Sequence, residues 1–184
     1  MSRLQTLFLL LIASVALSAA PGQTPTFRLW SDDVTGGSFG SEQVYNSFGC
    51  TGSNLSPHLA WSGAPKDTQS FVITVYDPDA PTGSGFWHWV VANIPAGTTM
   101  IASNASRTPR MPAGSLETRT DFGPAGYGGP CPPAGDQPHR YIFTIHALRV
   151  PKIDVTADTS AALVGFMTNA NRIASASFTA RYGR

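Results

Sequence analysis

The sequence predicts a mainly β domain of short strands joined by tight turns. Three observations carry that expectation. Of 184 residues, 18 are glycine and 15 proline. That share of turn formers is above the usual ~12% and below the low-complexity range. Three segments, 70–76, 86–93 and 140–148, are dense in β-branched and aromatic residues and are bounded by prolines or turns. A single stretch, 160–173, carries apolar residues at helical spacing.

Taken in order, 26–30 alternates and reads as a first strand, and 32–40 is turn material. Residues 43–45 read as a short strand leading to Phe48-Gly49-Cys50, and 58–61 as another after a turn at 54–57. The strand at 70–76 stops at Asp77-Pro-Asp-Ala-Pro81, where proline removes ladder donors. The strand at 86–93 ends at Ile94-Pro95. Residues 140–148 are nearly continuously apolar, which predicts a central strand. In the helix, Ala161, Val164, Met167, Ala170 and Ile173 share a face, and Thr159 or Ser160 is placed to cap it. Residues 174–182 alternate as a last strand. The segment 103–135 is long, Gly/Pro-rich and without period, and loops of that length in small domains usually serve function.

Charge excludes several classes. The formal net charge is +1, with 12% charged residues. Only Lys66 and Lys152 are lysines, with no basic run, so a nucleic-acid partner is not expected. The N-terminus has the layout of a secretory signal. Arg3 supplies the positive charge, 7–15 an apolar run, and 16–20 the small residues that signal peptidase prefers. Residues 1–20 are therefore expected to be a signal peptide and 26–184 the domain, exported to the periplasm or secreted. No later stretch is apolar enough for a transmembrane segment.

Export bears on the two cysteines. An even count in an oxidising compartment favours a Cys50–Cys131 disulfide closing a loop of about 80 residues. Two buried free thiols are the alternative. A zinc pair has little support, because neither cysteine lies in a CxxC.

The chemistry-bearing residues gather at strand ends. Asp77 and Asp79 sit in the proline-rich turn, His88 lies within Trp87-His-Trp89, and His139 precedes its strand. Strand periodicity predicts His88 on one face with Phe86 and Val90, and Trp87 with Trp89 on the other. Two imidazoles and two carboxylates framed by fixed loops could form an anion pocket, with Asp77 orienting an imidazole and both histidines gaining protons near pH 6–7. Each has a plainer reading: His88 as a hydrogen-bonded core residue, the aspartates as turn caps. His58 and His146 are read as structural. Asp121-Phe-Gly123 imitates a kinase motif without its partner segments, and Gly83-Ser-Gly85 lacks the glycine of a nucleophile elbow. A metal site is a weaker reading than an anion pocket.

These residues carry a resemblance. Asp77-Pro-Asp-Ala-Pro81 followed by Phe86-Trp-His-Trp-Val-Val-Ala-Asn-Ile-Pro95 resembles the first signature of the phosphatidylethanolamine-binding protein family. Gly129-Pro-Cys-Pro-Pro133 with Pro138-His-Arg-Tyr141 resembles the second. Asn54-Leu-Ser-Pro-His-Leu-Ala-Trp61 and Thr118-Arg-Thr-Asp-Phe-Gly123 are similar to its bacterial YbhB/YbcL-type Raf kinase inhibitor-like branch. The resemblance covers 27–182. It implies an antiparallel β-sandwich with few short helices and a small pocket for phosphate, acetate or a phospholipid head group. By position, its ligand-binding residues would be Asp77, Asp79, Ala80, Pro81, Phe86 and His88 from the first signature. Gly129, Pro132, Pro133, His139 and Tyr141 would come from the second. The exported members of the branch are similar in their Cys50/Cys131 pair. The expected partner is thus a small oxyanion or phosphorylated head group. No cofactor, metal or catalysis is expected. The alternatives are an inhibitor of a protease or other enzyme through an exposed loop, and a hydrolase using Asp77 and Asp79. Animal members close the pocket with a C-terminal helix, whereas this chain reads as strand to its last residues.

Overall fold

A computed structural model describes residues 26–184; the signal peptide expected at 1–20 lies outside the described residues. The elements are β1 (Arg28–Trp30), β2 (Leu59–Ser62), β3 (Ser70–Asp77), β4 (Phe86–Pro95), β5 (Met100–Ile101), β6 (Leu116–Glu117), β7 (His139–Leu148), α1 (Ala161–Asn171) and β8 (Arg172–Tyr182). They form two antiparallel sheets, ordered β1-β2-β5 and β6-β4-β3-β7-β8.

Side-chain alternation sets the layers. On β3, Phe71, Ile73 and Val75 enter the core between the sheets, where they meet Leu29, Leu59 and Trp61. Val72 points the other way, into a second core with Val90, Ala92, Leu148, Ala161 and Val164 beneath α1. Both faces of β3 are therefore covered, which explains its unbroken apolar run. The central place belongs to β3, with β7 between it and the edge strand β8. Alternation on β7 is cleaner than its composition suggests. Tyr141, Phe143, Ile145 and Ala147 are buried between the sheets, while Ile142, Thr144 and His146 are half-buried on the helix side. Ser160 caps α1, its Oγ accepting from the Leu163 amide at 3.3 Å.

Two register shifts bend β4 against β3. One lies near Asn93, which adopts φ 59°. Its side chain clamps the chain beyond β7, donating to the Ile153 carbonyl at 3.2 Å and accepting from the Ile153 amide at 2.9 Å. Asn tolerates the left-handed region and Ala does not. Asn93→Ala is expected to cost about 2 kcal/mol in urea unfolding, from two lost hydrogen bonds and backbone strain.

The second shift corrects the expected faces around His88 in part: it stays on the side of Phe86, ring centroids 5.2 Å apart, while Val90 lies on the other side. Val75 pairs with Trp89 and Tyr76 with Trp87, so His88 is an extra residue opposite no partner. Trp89 enters the core between the sheets and Trp87 packs on the helix side, so the two tryptophans do not share a face. His88 instead turns toward Tyr141.

The strand expected at 43–45 does not form. Its backbone is consumed by turns: the Asn54 amide donates to the Val44 carbonyl at 2.8 Å, and the Gly52 amide to that of Tyr45 at 3.0 Å. Gly52 is required there, because a Cβ would sit 2.1 Å from the Val44 oxygen. The Tyr45 amide is taken by Pro130 across the chain, a tertiary contact that no local pattern announces. Cys50 and Cys131 form the disulfide, with Cα atoms 6.0 Å apart and a sequence separation of 81.

Candidate functional site

The ends of β3, β4 and β7 open on a cavity of about 140 Å³. At its base is a buried pair. The His139 Nδ1–H donates to Asp77 Oδ2 at 2.7 Å, with both side chains about 5% exposed or less. Asp77 Oδ1 accepts from the amides of Asp79 and Ala80 at 2.8 and 3.2 Å. Asp77 is thus turn cap and imidazole holder at once. His139 Nε2 lies 3.4 Å from Asp136 Oδ2, so carboxylates flank the ring on both sides.

His88 is held differently. Its Nδ1 donates to the Gly128 carbonyl at 2.8 Å, since a carbonyl can only accept. In the neutral ring, Nε2 then carries the lone pair. Burial pushes the His88 pKa below its ordinary value, against the opposing pull of the Gly128 carbonyl and of Asp77. The expectation of two imidazoles protonating together near pH 6–7 is therefore revised: His88 stays neutral further into acid.

Tyr141 packs edge-on to His88, ring centroids 5.0 Å apart. Its hydroxyl is buried and has no hydrogen-bond partner. Burial, then the charge of Asp77, pushes the phenol pKa up, so it remains a proton donor. An unpartnered donor in the wall of a cavity is costly without a ligand.

Ala80, Pro81, Phe86, Pro132 and Pro133 complete the wall. Asp79 and Gly129 lie outside the lining. Asp79 binds the Arg140 guanidinium in a two-pronged pair, with contacts at 2.9 and 2.7 Å, and this hydrogen bonding takes its pKa down to about 2. Gly129 packs behind the wall, its amide donating to Asn54 Oδ1 at 2.7 Å. A Cβ there would meet the Gln43 oxygen at 2.0 Å, so its role is close approach.

Four lining residues escaped the sequence reading: Phe48, Thr82, Phe122 and Cys131. Phe122 belongs to the segment set aside as a false kinase motif. Asp121 Oδ2 accepts from the Trp87 amide at 2.7 Å and so fixes Phe122, which stacks on Tyr45 at 4.3 Å and meets Phe86 edge-on at 4.7 Å. Phe48 is 69% exposed at φ 54°. Arg184 ties the rim together, donating to the Pro132, Gly49 and Phe48 carbonyls at 2.7, 3.1 and 3.3 Å. No sequence signal marks that contact. His58 lies outside the cavity, its Nδ1 accepting from the Asp32 amide at 3.3 Å. Among the described residues, no three His, Cys, Asp or Glu side chains gather to hold a metal ion.

The model of the phosphatidylethanolamine-binding protein family matches residues 31–183. The chain belongs to that family. Within it, the protein is 49% identical over 174 residues to UPF0098 protein YbcL of Escherichia coli strain K12, covering 93% of each chain. It is 51% identical over 157 residues to UPF0098 protein YbhB of the same organism, covering 84% of this chain and 99% of that one. The crystal structure of E. coli YbcL, titled a new member of the mammalian PEBP family, superposes with a TM-score of 0.84 at 50% identity, over 86% of this chain and 98% of that one. Membership in the phosphatidylethanolamine-binding protein family makes this a protein of binding type. No helix among the described residues is long and apolar enough to cross a membrane.

Proposed function

We propose that residues 26–184 form an exported, non-catalytic binding protein whose cavity takes a small oxyanion or phosphorylated head group, after a signal peptide at 1–20 is removed. The observation that carries this reading is the buried, unpartnered Tyr141 hydroxyl beside the Asp77–His139 pair. The Tyr141 hydroxyl is a donor without a partner in a proline-walled cavity that loses little entropy on binding. The disulfide supports export, because such bonds persist in oxidising compartments.

Catalysis lacks its parts. Both Asp77 oxygens are engaged and Asp79 is spent on Arg140, so the carboxylates do not face each other across a substrate. Cys131 is locked in the disulfide, and the Thr82 hydroxyl donates to the Gly85 carbonyl.

The neutral His88 sharpens the ligand. Its Nε2 lone pair accepts a hydrogen bond from the ligand, so a phosphate should bind as its protonated monoanion. The second phosphate pKa of a monoester is about 6, so the monoanion disappears as pH rises. At still lower pH, protonating His88 removes that acceptor, at a pH below its ordinary range. Calorimetric titration of phosphoethanolamine should therefore give at least about tenfold tighter binding at pH 6 than at pH 8. Tyr141→Phe should weaken binding roughly tenfold without loss of stability, since it removes one donor that has no other partner. Equal affinity at both pH values, together with an unchanged Tyr141→Phe, would rule out this site.

A further inference from the structure

The back of the large sheet holds a second cavity, of about 190 Å³, between β3, β4, β7 and the underside of α1. The bulge at His88 separates it from the first site: His88 faces one side of the sheet and Trp87 the other. Trp87 and Tyr76 build one wall, their rings 4.4 Å apart. The opposite wall is polar and incompletely satisfied. Thr168 is 2% exposed, and its hydroxyl has no hydrogen-bond partner. His146 Nδ1 is also buried without a partner, and its Nε2 reaches only Thr74 Oγ1 at 3.5 Å. Such orphaned groups are rare in a core and point to an absent partner. Gly165 roofs the cavity, and a Cβ there would meet nothing within 4 Å. Glycine is a poor residue for mid-helix, and here it leaves the roof open.

No lysine, arginine or carboxylate lines this cavity. Burial, then the nearby Arg172 charge, takes the His146 pKa down to about 4, so the ring is neutral at physiological pH. A charged ligand would find no counter-ion and would lose its hydration.

We propose that this cavity is a second binding site, for a small neutral molecule with a planar apolar body and one hydroxyl or carbonyl group. The flat body lies against Trp87 and Tyr76, and the polar group meets Thr168 Oγ1 and His146 Nδ1. This site is independent of the anion pocket.

The test is an NMR titration of the protein with benzyl alcohol, using benzoate and benzylamine as charged analogues of the same shape. Benzyl alcohol should bind in the millimolar range expected of so small a ligand. It should shift the amides of Gly165, Thr168 and His146 and leave those of Gly129 and His139 in place. Benzoate and benzylamine should produce no such shifts. Thr168→Val keeps the side-chain shape and removes the unpartnered hydroxyl, so it should weaken binding about fivefold while the protein stays at least as stable. Gly165→Ala closes the roof into open space and should also weaken binding with the fold intact. Absence of shifts at these three residues, equal binding of benzoate, or an unchanged Thr168→Val would each overturn the proposal. Failure of phosphate to bind at the first site would leave it standing.

Discussion

Asp77→Ala is expected to lower stability by about 3–5 kcal/mol and to abolish phosphate binding. The size follows from what one carboxylate does. It accepts from the buried His139 ring at 2.7 Å and from two turn amides at 2.8 and 3.2 Å. Truncation strands the buried His139 donor and takes the acceptor from both turn amides, and an unsatisfied buried donor costs more than the bond it loses. Thermal unfolding should fall by roughly 10 °C for a chain of this length. Asp77→Asn separates the two roles. Its Oδ1 keeps both amide bonds, so the turn and most of the stability should survive. Its NH₂ group would face His139 Nδ1, forcing the ring to its other tautomer and placing a proton on Nε2. Comparing the two variants by calorimetry and thermal melts checks the assignment. Equal loss of stability in both would show that the imidazole, and not the turn, is what Asp77 serves.

Removing the disulfide should have an effect of similar size. With a sequence separation of 81 between the cysteines, loop-closure entropy in the unfolded chain amounts to about 4–5 kcal/mol at most. The double variant Cys50→Ser with Cys131→Ser is expected to lose about 4 kcal/mol in denaturant unfolding, and reduction of the native protein should match it. Binding should suffer as well, because Cys131 lines the cavity and the bond fastens the Phe48 loop to the Pro132-Pro133 wall. A several-fold loss of phosphate affinity would be seen in the same titration. A stability loss below about 1 kcal/mol would mean that the reduced, unfolded chain is already constrained.

How far the sequence could be read follows from where each feature is encoded. Strands β3, β4 and β7 are announced locally, by β-branched and aromatic runs that end in proline, and they appear within a residue or two of the expected limits. The helix is equally local, down to its Ser160 cap. Residues 43–45 fail because their amides and carbonyls are claimed by Pro130 and by tight turns. The pairing of Asp77 with His139 spans 62 positions. Their position at strand ends suggested a shared pocket, and the resemblance of the two signatures supported it, but no local pattern says which imidazole Asp77 holds. Periodicity misplaced Trp87 against Trp89 because a bulge is a property of the partner strand's register, not of the bulged segment. Asp79 looked equivalent to Asp77, yet Arg140 draws it outward. His146 looked ordinary because nothing in a sequence reports that a ring nitrogen lacks a partner.

The extra residue in β4 has a consequence for anyone grafting this site onto another scaffold. Copying the Trp-His-Trp tripeptide into a regular strand would leave the imidazole beside the aromatic residue two places before it but would put both tryptophans on one side, so they could no longer serve two different layers. The transferable unit is a length mismatch between two paired strands: three residues of one, Trp87 to Trp89, matched to two of the other, Val75 and Tyr76. In that sense the opposite placement of the two tryptophans was set by an insertion, and no change of residue type at position 88 could have produced it.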